Sequence, residues 1–169
     1  DVSLTLVGPT RGHQRRRLRD AAHRAGATDK GELLPPMAAA DLSGLYAAHD
    51  AAIAPLVATE RNLEQGCCPL KVIEAMAAGV AIVASDLPVV RELVSDAEAW
   101  LVPPGKAGDL ADAWAEVARD PDAARARAAR ARARAEAHFA WRVACDALTD
   151  IYAELGLVVD PGPTRGAAR

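Results

Sequence analysis

Lys71 and Glu74 stand three residues apart in the stretch "GCCPLKVIE". On a helix that spacing makes them neighbours on one face. Before them come Gly66, Cys67, Cys68, Pro69 and Leu70, a turn of small residues closed by proline. Proline suits the first position of a helix, because its missing N–H would lack an intrahelical partner anyway. The free N–H groups around Leu70, Lys71 and Val72 then share the positive end of the helix dipole. An anion such as a diphosphate fits there. A carboxylate one turn further in can accept hydrogen bonds from two vicinal hydroxyls, as a ribose offers. The spacing alone equally allows an ordinary surface Lys–Glu pair.

The elements around this turn must position it. A helix runs from Pro69 to Gly79, a residue suited to helix ends. On its wheel Val72, Ile73, Met76 and Ala77 share the core side, while Lys71, Glu74 and Ala78 share the other. Val80 to Ala84 is a continuous apolar strand. Further strands are expected at Val2 to Val7, buried and closed by a turn at Gly8 and Pro9, at Glu32 to Pro35, Ala51 to Leu56 and Ala99 to Val102. Helices are expected at Arg11 to Ala25, at Asp41 to His49 with Asp41 as cap, and at Pro88 to Val94. Leu42, Leu45 and Tyr46 share one side of the second of these.

This alternation predicts an α/β fold, a Rossmann-like parallel sheet with helices on both faces. Such sheets bind ligands at the C-terminal ends of their strands, so the turns after Val7, Leu34, Leu56 and Ala84 should share one functional edge. From Asp109 onward the chain reads as C-terminal helices. Leu110, Trp114 and Val117 form a core stripe, a second helix spans Asp122 to His138, and a third runs from Trp141 to Leu155. The Pro/Gly-rich end, residues 156–169, is expected to be disordered.

Bulk properties narrow the function. A chain of 169 residues can build one domain with a real core. The net charge of −3 argues against nucleic acid as a partner, since phosphate backbones call for a basic surface. The run "RARAARARARAEAHF" looks basic, but Ala124, Ala128, Ala131 and Ala135 form a stripe between two arginine flanks. That reads as a solvated helix packing through alanine. No apolar run of about 18 residues is present, so no membrane span is expected. Three cysteines, two of them adjacent, make neither a disulfide framework nor a zinc site, and a reducing cytoplasm is the expected location. His13, His23, His49 and His138 are far apart and read as surface or helix-end residues. Asp86 and Glu92 follow the central strand; each either borders the cleft or serves its helix, Asp86 as a cap before Pro88. The chain enters a strand almost at once without an initiator methionine, which reads as a fragment or a processed piece.

The stretch "PLKVIEAMAAGVAIVASDLPVVRELVSDAEAWLVPPGKAGDLADAW" resembles the nucleotide-sugar-binding half of GT-B glycosyltransferases, specifically glycosyltransferase family 4. The matching parts are Glu74 to Gly79, the strand Val80 to Ser85, Glu92 to Asp96 and Leu101 to Gly105. "LTLVGPT", "DLSGLYAAHDAAIAPL" and "HFAWRVACDALTDIYAEL" resemble other family motifs in the right order. The likeness covers about residues 2 to 155. It implies that residues 1–155 are a C-terminal donor-binding domain lacking its first strand–helix unit.

That resemblance implies a retaining transfer of a sugar, of hexosyltransferase type, from a nucleotide diphosphate sugar to an unknown acceptor. It implies no cofactor and no metal. It places Gly66, Cys67, Cys68, Pro69, Leu70 and Lys71 beside the diphosphate and sugar, Glu74 near the ribose, and Leu34, Pro35, Pro36 and Met37 near the base. Two features depart from the pattern. Family members carry a second glutamate eight positions before the first, at the transferred sugar, and Gly66 stands there; Glu64 lies two residues earlier. The early loop with an arginine and a lysine, and an N-terminal acceptor domain, are also expected to be missing. This chain alone is therefore expected to be inactive, and any peripheral membrane attachment would come through that missing domain. Catalytic residues stay unassigned. The alternatives are a non-catalytic or truncated nucleotide-sugar-binding module, or another doubly wound protein such as an epimerase.

Overall fold

The structure, a computed structural model, describes residues 2–157. The expected disordered tail lies outside the described residues, apart from Gly156 and Leu157. The chain divides into two units, Asp1–Leu45 and Tyr46–Arg169.

In the first unit, β1 (Leu4–Val7) and β2 (Gly31–Leu34) pair in parallel, from Leu4 opposite Gly31 to Val7 opposite Leu34. Helix α1 (Gly12–Arg24) and a single 3-10 turn (Thr28–Lys30) make the crossover. The expected burial of the first strand is corrected: Leu4 and Leu6 are each 37% exposed. The cause is α1, whose sequence "GHQRRRLRDAAHR" has too few apolar side chains to cover a sheet; none of its residues is buried. Helix α2 (Ala39–Ala47) leads out of this unit. It starts before Asp41, which is therefore not its cap; the carboxylate lies in the first turn, where it complements the helix dipole.

The second unit has a three-stranded parallel sheet in the order β3 (Ala51–Ala54), β4 (Ala81–Ser85), β5 (Trp100–Val102). Every residue of the central β4 is buried, as its apolar run predicts. Its side chains alternate between two cores. Ile82 and Ala84 meet Val72, Ala75 and Met76 of α4 (Leu70–Ala78) and Ala131 and Ala135 of α7 (Pro121–His138). Ala81 and Val83 meet Trp100, Val102, and Ala113 and Val117 of α6 (Ala107–Arg119). Each fully buried side chain of the Val72, Met76, Ile82 kind contributes about 1.5–3 kcal/mol. The wheel of α4 is corrected at three alanines: Ala75 is buried, Ala77 is exposed, and Ala78, expected on the side of Lys71 and Glu74, is half-buried against the core. The helix meets α7 as well as the sheet, which widens its buried face toward Ala75.

The alanine stripe of α7 is buried as expected, but its arginines are not simply solvated. Arg130 donates to the Ala97 carbonyl at 2.7 Å and Arg134 to that of Leu93 at 2.7 Å. Arg127 reaches the Ala99 carbonyl at 3.4 Å and lies 4.1 Å from the centre of the Trp100 ring. The other flank makes local ion pairs, Arg125 with Asp122 and Arg132 with Glu136. One flank thus holds the segment after α5 (Pro88–Arg91) and the other faces water. Helix α8 (Trp141–Glu154) follows. Among the described residues no helix is long and apolar enough to cross a membrane.

Candidate functional site

β3 leads through residues 55–59 into α3 (Glu60–Leu63), a short helix not foreseen in the sequence, then through the turn 64–69 into α4. Because β3 and β4 are parallel, with Ala54 opposite Ala84, the start of α4 lies at the C-terminal edge of both strands. The turn after Leu56 and the turn after Ala84 therefore share one edge. Val7 and Leu34 end side by side in the first unit, where the Gly8 N–H donates to the Leu34 carbonyl. Leu34, Pro35, Pro36 and Met37 follow there, with Leu34 half-buried and the other three exposed. They belong to a different unit from the turn at 66–70.

A residue that sequence reasoning passed over holds that turn. Asn62 on α3 is 8% exposed, and both ends of its side-chain amide are used. Its Nδ2 donates to the Val57 carbonyl at 2.8 Å, and its Oδ1 accepts from Cys67 Sγ at 3.2 Å. Each end of the loop is thus tied to one side chain. Gly66 lies between, at φ +73°, a backbone conformation that residues with a Cβ adopt only at a cost. The departure from the family pattern at Gly66 therefore has a local counterpart: a glutamate there would be strained. Glu64 ends α3, exposed, its N–H bonded to the Glu60 carbonyl.

Pro69 is buried and stands just outside α4, at the N-cap, rather than at its first position. This changes the expected set of free amides. The Leu70 N–H donates to the Cys68 carbonyl at 2.9 Å, and that of Val72 to the Pro69 carbonyl at 2.8 Å. Of the three, Lys71 keeps an N–H with no acceptor among the described residues. Cys68, Leu70, Lys71 and Glu74 are exposed, Cys67 half-buried.

Lys71 and Glu74 share a face as predicted, yet they form no ion pair with each other among the described residues. Glu74 meets Tyr46 instead. The tyrosine hydroxyl lies 3.5 Å from Glu74 Oε2 and 3.4 Å from the Lys71 carbonyl oxygen. Burial, then the charge and the hydrogen bond of Glu74, push the Tyr46 phenol up to about 12. Tyr46 therefore stays neutral and able to donate. The sequence signal was present in "LYAAHD", where tyrosine was read only as one side of a helix.

Asp86, at the end of β4, is not the cap of the next helix; Leu87 occupies that place. Its carboxylate takes two bonds from Arg91, to Nε at 2.5 Å and Nη2 at 2.9 Å, while Arg91 Nη1 reaches Asp96 at 2.8 Å. The Arg91 bond holds the Asp86 carboxyl below its ordinary range. Glu92 is exposed, and its backbone carbonyl accepts from Arg134 at 3.4 Å. A shallow groove of about 490 Å³ lies elsewhere, between β5 and α6, lined by Trp100, Asp109, Asp112 and Glu116; none of the candidate residues lines it.

Parallel sheets joined by crossover helices, with a turn of this kind at the C-terminal edge of β3 and β4, define a Rossmann-like α/β fold, and it matches GT-B glycosyltransferase structures. The chain belongs to the family described as glycosyl transferases group 1, whose model matches residues 1–120. It is 35% identical over 156 residues to a D-inositol 3-phosphate glycosyltransferase of Saccharomonospora viridis, a match covering 90% of this chain and 34% of that protein. Among solved structures it is similar to the sucrose-phosphate synthase of Thermosynechococcus elongatus, with TM-score 0.77 and 27% identity over 91% of this chain and 38% of the other. It is also similar to Anabaena HepE in complex with UDP-glucose, with TM-score 0.77 and 23% identity over 90% of this chain and 41% of the other. The chain thus spans about a third of the length of the curated relative it matches.

Proposed function

We propose that this chain is the donor-binding part of a retaining glycosyltransferase of family 4, which moves a hexosyl group from a nucleotide diphosphate sugar to an acceptor when joined to an acceptor domain. The observation that carries this reading is the exposed Glu74 carboxylate, one turn into α4 at the C-terminal edge of β3 and β4. In this reading Glu74 accepts the two ribose hydroxyls. The Lys71 N–H and ammonium face the diphosphate, where they offset charge that grows as the glycosidic bond breaks. Gly66, Cys67, Cys68, Pro69 and Leu70 shape the surface against diphosphate and sugar. The donor is a substrate, and the reading needs no resident cofactor or metal. A relative of this fold holding UDP-glucose supports the ligand class.

The test is calorimetric titration of the chain with UDP, GDP and ADP. One of them is expected to bind, with Glu74→Ala weakening it about tenfold or more. Binding of none, or equal binding by the variant, overturns the role of Glu74. A second reading, a nucleotide-sugar-binding module without activity, is favoured by Gly66 standing where the sugar-contacting glutamate is expected. Donor hydrolysis or transfer by the full-length protein separates the two.

A further inference from the structure

We propose that Tyr46 is a positioning residue for Glu74, its hydroxyl fixing the carboxylate in the orientation that meets the donor. This rests on the donor-site reading of Glu74 given above. Tyr46 lies 28 residues before Glu74, at the end of α2, and its ring packs half-buried against the core shared by β4, α4 and α7. The ring is therefore anchored, and only the hydroxyl reaches the exposed face of α4. There it stands between two acceptors one turn apart, at 3.4 and 3.5 Å. A phenol has one proton to give. Near-equal distances to a backbone carbonyl and a carboxylate let it serve either with a small movement.

Among the described residues Glu74 makes no ion pair. Lys71 sits on the same face but is not paired with it, so the lysine is left to the ligand and the tyrosine orients the glutamate. An exposed glutamate otherwise samples many rotamers, and ordering it on binding has an entropic cost. A donor already in place removes part of that cost before the ligand arrives. The raised phenol, neutral across the physiological range, keeps the proton available.

The test compares wild type, Tyr46→Phe, Glu74→Ala and the double variant. Phenylalanine keeps the ring and removes only the hydroxyl. In protein carrying ¹³C-labelled glutamate, the Glu74 carboxylate signal is expected to move in Tyr46→Phe without any ligand. UDP, GDP or ADP, whichever binds, is expected to bind Tyr46→Phe about three- to tenfold more weakly. That loss should vanish in the Glu74→Ala background, because the hydroxyl then has no carboxylate to orient. A merely structural tyrosine would weaken binding equally in both backgrounds. An unmoved carboxylate signal, or losses that add in full, overturns the proposal. If no nucleotide binds the wild type, the donor-site reading falls and the carboxylate signal still judges Tyr46. If Glu74→Ala alone weakens binding, only the role of Tyr46 falls.

Discussion

Arg134 on α7 donates its Nε–H to the carbonyl of Leu93, 41 residues earlier, at 2.7 Å. Its Nη2 reaches the neighbouring Glu92 carbonyl. A charged donor satisfies carbonyls left open where α5 ends. Arg134→Ala is expected to lower stability by about 1–2 kcal/mol. Arg125→Ala, which loses only an exposed pair with Asp122, should stay within about 0.5 kcal/mol of wild type. Urea unfolding of both variants checks this. Equal losses would mean that the two flanks of α7 do the same work.

The turn at Gly66 gives a second expectation. Its φ of +73° disfavours any side chain, although nothing lies within 4 Å of where a Cβ would be. Gly66→Ala should therefore cost about 1–2 kcal/mol through the backbone alone. Gly108→Ala, in α6 with open space and no positive φ, should be neutral or stabilising by up to about 1 kcal/mol. Thermal melts of the pair decide it, and a Gly66→Ala protein as stable as wild type would remove the strain argument.

Packing supplies a third. Ala131 is fully buried between α7 and the first core. Ala131→Leu forces atoms into filled space and should cost about 1–3 kcal/mol. Ala129→Leu, on the exposed side, should change stability by less than about 0.5 kcal/mol. Denaturant midpoints at constant slope are the measure. A tolerated leucine at 131 would mean a loosely packed interface.

Asp86 and Arg91 give a pH dependence. The bond from Arg91 lowers the Asp86 carboxyl below its ordinary value of 3.8. The sign follows: the folded state binds the proton less readily than the unfolded, so the pair contributes stability above that pH. The contribution is lost as pH falls through the lowered folded value. The stability gap between wild type and Arg91→Ala should be widest above the ordinary Asp86 value of 3.8 and close as pH falls through the lowered folded value. Both side chains are substantially exposed, so added salt should shrink the gap too. A gap that does not vary with pH would assign the effect of Arg91 to packing.

Much of this was legible from local pattern. The apolar run 80–84, the helix ended by Gly79 and the alanine stripe of α7 each carry their own periodicity, and each stands near its expected place. What escaped depends on partners far along the chain. The pairing of Arg130 and Arg134 with carbonyls 33 and 41 residues away leaves no mark in helical spacing. Tyr46 reaches Glu74 across 28 residues, and Asn62 was invisible because α3 is only four residues long. The amides at the start of α4 were misjudged because local turn bonds took two of them. The burial of β1 was overestimated because a strand's own apolarity does not reveal what covers it.

Gly79 adopts φ +70°, ψ +33°, so that α4 ends and β4 begins with only Gly79 and Val80 between them. A connection that short has no slack. Any displacement of β4 along its axis is delivered undamped to α4, and through its nine residues to the turn at 66–69. The stiffness of the central strand thereby becomes the stiffness of the surface that Lys71 and Glu74 present. A longer linker after Ala78 would leave the same side chains on a looser spring.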